Sequence, residues 1–166
     1  MERGLPPPAF RRGQAVKTLI LAIGKLRGPE AEWCAEYQKR LKGDVAVKEM
    51  AASKNLAAAA TQSAEADLLL KALPPKSFSV LLDERGKDMP SRDFAAKIKQ
   101  WQEQGLSHLV FLIGGADGVP DAVRAKVNFT LGFGRLTWPH RLVRVMLLEQ
   151  LYRAQQINAG HPYHRD

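Results

Sequence analysis

"HLVFLIGGADG", residues 108–118, is the stretch whose reading decides the fold class. Five consecutive apolar residues, 109–113, are stopped by a glycine pair. A run this short, apolar at every position and ended by glycine, predicts a strand buried on both faces. Such strands belong to parallel sheets covered by helices.

The pattern continues outward in both directions. "TLILAIG" (18–24) is a second short apolar run ended by glycine, "VAVKEM" (45–50) a weaker one, and "FSVLLDERG" (78–86) a third that runs into charged residues. Helical patterns alternate with them. "GPEAEWCAEYQKRLK" (28–42) has Pro29 at an entry position, and "NLAAAATQSAEADLLLKAL" (55–73) is rich in strong helix formers and ends at Pro74–Pro75. Ser91 is placed as the N-cap of a helix ending at Gly105. "PDAVRAKVNFTL" (120–131) reads as a short helix, "RLTW" (135–138) as a last strand, and "PHRLVRVMLLEQLYRAQQIN" (139–158) as the last helix. Strand–helix alternation predicts an α/β fold, a mainly parallel sheet with helices on both faces. Ligands in such sheets sit beyond the carboxyl ends of strands. The loops "LDERG", "IGGADG" and "GFGRLTWPH" occupy that position, all in the second half of the chain.

At 166 residues, with 45% hydrophobic and 25% charged residues, the composition is that of one globular domain rather than of a disordered chain. Lysine and arginine number 25 against 17 acidic residues, a net charge of +8, which favours polyanionic partners. Cys34 is the single cysteine, so an intrachain disulfide or a cysteine zinc cluster is excluded. It lies inside a helical pattern, where it is expected as a buried structural thiol in a reducing, cytoplasmic setting. No stretch approaches the roughly 20 apolar residues of a membrane span, and the start "MERGLPPPAFRRGQAV" lacks a signal peptide's apolar segment. Residues 1–16 are expected to form a basic, proline-rich extension and residues 17–166 the folded domain.

Several chemistries are poorly supported. "IGGADG" lacks the ending of a Walker loop, and "GFGRLT" follows a helical pattern rather than a strand, which argues against a dinucleotide fingerprint. His161 and His164 form an H-x-x-H pair without a third ligand, so no metal is expected. Asp83, Glu84, Asp117 and Asp121 contain no evident acid/base pair. The last helix says more. Leu142, Val143, Val145, Met146, Leu147, Leu148, Leu151 and Tyr152 cover nearly its whole circumference, so it is buried on more than one side. A second subunit, as an isologous dimer, or the rest of the chain supplies the second cover. Glu149 and Arg153, at i and i+4, are oriented to pair. The tail "NAGHPYHRD" combines a stiff backbone with stacking and cationic groups, a set suited to a nucleobase and its phosphate.

Three segments, "LIGGADG", "LTWPHRLVRVMLLEQLYRAQQI" and "HPYHR", in that order with the last at the C-terminus, resemble the ribosomal RNA large-subunit methyltransferase H family of the SPOUT class. The resemblance runs from about Lys17 to Asp166. It implies a C-terminal trefoil knot, a rare exception to the rule against knotted chains. It further implies a homodimer and S-adenosylmethionine as methyl donor, with S-adenosylhomocysteine as product. The implied substrate is a pseudouridine of 23S rRNA, methylated at N3 on the assembled 70S ribosome. Carried over by position, the cofactor contacts are Leu82, Gly114, Phe133, Gly134, Arg135, Leu136, Thr137 and Trp138. Relatives often carry a smaller residue or another aromatic where this chain has Trp138. The catalytic candidates are Arg153, Tyr163, His164 and Arg165, reaching a partner's pocket, with His164 as the base. Alternatives are a SPOUT enzyme acting on another RNA and a non-catalytic ribosome-binding relative.

Overall fold

The computed structural model describes residues 15–166. The extension expected over residues 1–16 lies, up to residue 14, outside the described residues. Five strands, β1 (Lys17–Ile23), β2 (Val45–Met50), β3 (Ser77–Lys87), β4 (His108–Ile113) and β5 (Phe129–Leu131), form one sheet in the order β2-β1-β4-β3-β5. Every pairing is parallel. Five helices alternate with them: α1 (Pro29–Arg40), α2 (Ala58–Lys71), α3 (Ser91–Gln102), α4 (Asp121–Arg124) and α5 (His140–Asn158).

The strand alternation sorts side chains into two cores. Ile20, Ala22, Val80, Leu82, Leu109, Phe111 and Ile113 face one layer, where they meet Cys34 of α1, Phe94, Ile98 and Trp101 of α3, and Leu147, Leu148 and Leu151 of α5. Leu21, Ile23, Leu81, Val110 and Leu112 face the other, against Ala66 and Leu69 of α2 and Val123 of α4. Helices therefore cover both faces, and β4 is buried on both sides, as its unbroken apolar run requires.

Three local expectations are corrected. The last strand is residues 129–131 and not 135–138, and the helix expected over 120–131 stops at Arg124. Asn128 explains the first change: its Oδ1 accepts from the backbone N–H and the hydroxyl of Ser79 at 2.8 and 3.0 Å, and its own N–H donates to the Ser79 carbonyl at 3.0 Å. Phe129 then packs on Trp101 with ring centroids 5.2 Å apart. Tertiary bonding at the sheet edge outweighs the local helical pattern. Residues 135–138 fold back as a loop, with Gly134 at φ +89 and the Trp138 indole N–H donating to the Phe133 carbonyl at 3.0 Å. Pro90, not Ser91, is the N-cap of α3, and the Ser91 hydroxyl donates instead to Gln150 Oε1 of α5 at 2.8 Å.

The β3–β5 edge carries the feature that positions the site. Leu131 lies opposite both Leu82 and Lys87, so residues 83–86 leave the ladder as a bulge. The returning chain presses on that bulge backbone to backbone. A Cβ on Gly86 would come within 2.5 Å of the Leu131 carbonyl carbon, and one on Gly132 within 2.9 Å of the Gly86 oxygen. The Gly132 N–H donates to the Lys87 carbonyl at 3.1 Å. Two glycines face each other because no side chain fits between these segments.

Candidate functional site

The carboxyl ends of β3, β4 and β5 converge on a cleft of about 740 Å³. Its walls come from the three loops singled out by sequence: the bulge after Leu82, the turn from Gly114 to Gly118, and the segment from Phe133 to Pro139. Gly114 is where the backbone must come close, since a Cβ there would lie 2.5 Å from Val119 Cγ2. Phe133, Leu136 and Trp138 give an apolar rim. Leu136 is 71% exposed and Trp138 40% exposed, unusual for large apolar side chains held beside a cleft. Thr137 on the same loop is fixed by its hydroxyl donating to Glu84. Asp83 is held in turn by Arg85 and Arg124, each at 3.2 Å.

Six of the eight residues expected to contact a cofactor, Leu82, Gly114, Phe133, Leu136, Thr137 and Trp138, line this cleft. Gly134 lines a neighbouring cleft of about 650 Å³ on the other side of the same loop, together with Tyr37, Met89, Phe94, Val145, Met146 and Glu149. Arg135 is exposed and lines neither. Leu131 and Phe133 are shared by both clefts, so one short segment forms the partition between them. His140, at the first turn of α5, lines the larger cleft and was not singled out from sequence. Its signal was present: a histidine directly after Pro139, at the start of the helix that closes the loop. Burial, with the nearby Arg144 and Arg141 charges, pulls its pKa below the ordinary 6.5.

The tail residues assemble elsewhere. Glu149 accepts from Arg153 Nη2 at 2.6 Å and from the Tyr163 hydroxyl at 3.1 Å. The Arg153 guanidinium stands 4.9 Å from the Tyr163 ring centroid and donates to His164 Nδ1 at 3.1 Å. Because arginine only donates, the neutral His164 ring carries its proton on Nε2, which faces Asp166 at 3.5 Å. Asp166 is anchored by Arg92 at 2.6 Å. Desolvation, then the adjacent Glu149, pushes the Tyr163 phenol up to about 12, so it is a hydrogen-bond donor at neutral pH. Arg165 is exposed and outside this network. Arg153, Tyr163 and His164 are thus brought together on Glu149, beside the smaller cleft and not within the larger one. Among the described residues no group of three or more His, Cys, Asp or Glu could hold a metal ion, and no helix is long and apolar enough to cross a membrane.

A family model described as "Predicted SPOUT methyltransferase" matches residues 16–164. The chain belongs to this family. SPOUT relatives named "Ribosomal RNA large subunit methyltransferase H" include one from Paramagnetospirillum magneticum, 46% identical over 151 residues that cover 90% of this chain and 99% of that protein. Another, from Rhodospirillum centenum, is 48% identical over 147 residues, covering 88% of this chain and 97% of that protein. Among solved structures, a Legionella pneumophila methyltransferase with bound SAM aligns with TM-score 0.50 at 11% identity, over 86% of this chain and 68% of that one. At that identity the match speaks for the SPOUT fold alone. The cleft at the carboxyl edge and the loop that divides it belong to a methyltransferase scaffold.

Proposed function

We propose that the chain transfers the methyl group of S-adenosylmethionine to N3 of a pseudouridine in large-subunit rRNA, on the assembled ribosome. The observation that carries this reading is the larger cleft, two of whose three loops lie in the segments that carry the resemblance, in a chain 46–48% identical over nearly full length to large-subunit rRNA methyltransferases. The net charge of +8 suits an RNA substrate.

The cleft fits the donor. Exposed Leu136 and Trp138 offer apolar cover to a purine, and the loop amides and carbonyls stand ready for its polar edge. The Gly114 backbone packs on Val119 with no room for a side chain, which keeps the Gly114–Gly118 turn folded as a wall of the cleft. When bound, the donor supplies an electrophilic sulfonium methyl. The rest falls to the protein: to hold the target base in line, to remove the N3 proton, and to stabilise the uridinate that results. Transfer would form the N–CH3 bond as the S–CH3 bond breaks, with the neutral thioether as leaving group. Arg153, Tyr163, His164 and Arg165 are the groups assigned to the base. Because the Arg153, Tyr163 and His164 cluster and the exposed Arg165 stand outside the larger cleft of their own subunit, they serve the cleft of a partner in a homodimer. Val143, Val145, Met146 and Tyr152, all half-buried along α5, are the apolar surface for that contact. His164 accepts the N3 proton on its unprotonated Nδ1, which requires that nitrogen to be released from Arg153. The bulge of β3 against Gly132 is the crossing around which a trefoil knot closes.

Incubation of 70S ribosomes, isolated large subunits, free 23S rRNA and tRNA with labelled donor, followed by mapping of the modified nucleoside, tests the proposal. Label in N3-methylpseudouridine from 70S ribosomes is expected. Label confined to tRNA would replace the substrate, and donor binding without transfer to any RNA would point to a non-catalytic ribosome-binding relative. For His164, a His164→Ala variant with unchanged rate and unchanged pH profile on ribosomes would eliminate the base role.

A further inference from the structure

Behind the Gly114–Gly118 turn lies a carboxylate the site has not yet used. Glu65 of α2 is 3% exposed, in a layer otherwise formed by Ala66, Leu69, Val119 and Val123. Its Oε1 accepts from the Ser53 backbone N–H at 3.2 Å, while Oε2 is buried without a hydrogen-bond partner among the described residues. That free oxygen is aimed at Gly115, a residue of the cleft wall. A Cβ on Gly115 would lie 2.6 Å from Oε2. Glycine at 115 is therefore what lets the carboxylate stand one backbone's thickness from the cleft.

A buried carboxylate with one bare oxygen is costly unless a positive charge lies near it. Of the cleft's other acids, Asp117 is exposed, and the remaining two are already engaged. Asp83 is paired with Arg85 and Arg124, and Glu84 holds Thr137. His140, on which the Glu65 charge acts, is one candidate for a counter-charge, but burial and the Arg144 and Arg141 charges outweigh Glu65 and lower its pKa. Arg144 itself is spent on Glu49 and on the Gly24 carbonyl. The cleft on the far side of Gly115 is where a cation can approach that oxygen.

We propose that Glu65 supplies the negative charge that receives a cationic group of the methyl donor, acting across the side-chain-free wall at Gly115. This rests on the donor assignment above. The donor carries two such groups, a sulfonium and an α-ammonium. A carboxylate in a low-dielectric wall acts on either over several ångströms, where an exposed one would be screened.

The test is equilibrium titration of the wild type and Glu65→Gln with three probes: S-adenosylmethionine (sulfonium and ammonium), S-adenosylhomocysteine (ammonium alone) and methylthioadenosine (neither). Glu65→Gln keeps the acceptor for Ser53 and removes the charge. Affinity for S-adenosylmethionine is expected to fall about tenfold, with methylthioadenosine changed by less than about twofold. S-adenosylhomocysteine then identifies the cation: a parallel fall assigns the ammonium, and an unchanged value assigns the sulfonium. An equal fall for methylthioadenosine would reduce Glu65 to wall packing, and an unchanged S-adenosylmethionine affinity would overturn the proposal. Should Glu65→Gln fail to fold, Gly115→Ala, whose methyl displaces the carboxylate, is expected to give the same pattern. A wild type that binds none of the probes would instead overturn the donor assignment itself.

Discussion

The smallest features of the molecule set the sharpest constraints, and Gly86 and Gly132 come first among them. Each blocks the other's side chain with backbone atoms, which cannot rotate away as a flexible side chain would. Gly86→Ala or Gly132→Ala is expected to cost about 2 kcal/mol or more, in the range of forced overpacking, and to weaken donor binding because the same crossing carries Leu131 and Phe133 into the cleft. Urea unfolding and donor titration of each variant check this. Cys34 gives a second expectation. Burial, set against the opposing Arg144 charge, raises its thiol from an ordinary 9.0 to about 11. The neutral thiol should resist thiol reagents at pH 8 until the protein unfolds. Its contribution to stability is complete below pH 9 and is lost as pH rises toward 11, because the folded state holds the proton longer than the unfolded one. His140 is displaced the other way. An NMR titration should show its midpoint below 6.5 in the folded protein, returning toward that value when Arg144 is replaced.

At the scale of elements, α5 links the sheet, the divided cleft and the tail. Arg144 on its second turn is only 2% exposed and ties the helix to the ends of β1 and β2, through Gly24 at 2.9 Å and Glu49 at 2.5 Å. Arg144→Met is expected to destabilise the fold by about 2 kcal/mol, since it removes the charge-assisted tie to Glu49 and the donor to the Gly24 carbonyl, and adding Glu49→Leu should not recover the loss, because Glu49 is exposed and also accepts from the Leu26 N–H. A denaturant series on the two variants decides it. The parallel strands β1, β3 and β4 were legible because burial on both faces leaves an unbroken apolar run, and α1, α2, α3 and α5 because their helix formers are bounded by proline or glycine. β5 was not legible. Its three residues owe their place to Asn128 reaching Ser79 across 49 positions, a contact no local pattern encodes. Trp138 and Thr137 looked like strand for the same reason: an aromatic beside a β-branched residue carries β propensity, while a hydrogen bond to Phe133 folds the segment back. The cleft residues followed from glycine-ended strands and from resemblance. Glu65 and His140 did not, because their roles depend on burial and on which loop lies in front of them.

Across the whole molecule, charge is distributed with a purpose that the net value of +8 conceals. The larger cleft is lined by Asp83, Glu84 and Asp117 against Arg85 alone among arginine and lysine, with Glu65 behind its wall. The proposed function assigns the cation-rich remainder of the surface to RNA. Ribosome binding should therefore weaken by at least about tenfold between about 50 and about 200 mM salt, while donor binding changes little. Sedimentation with ribosomes and donor titration at the same salt concentrations separate the two. Under the proposed function, the loops after β3, β4 and β5 form one methyl-donor site around the Gly86–Gly132 contact. Hydrogen exchange read by mass spectrometry, with and without saturating S-adenosylmethionine, tests it most directly. Slowed exchange is expected at residues 82–87, 114–119 and 131–140 together, with residues 45–50 of the far edge strand unchanged. Saturable binding that protects other segments and leaves these three as they were would contradict it.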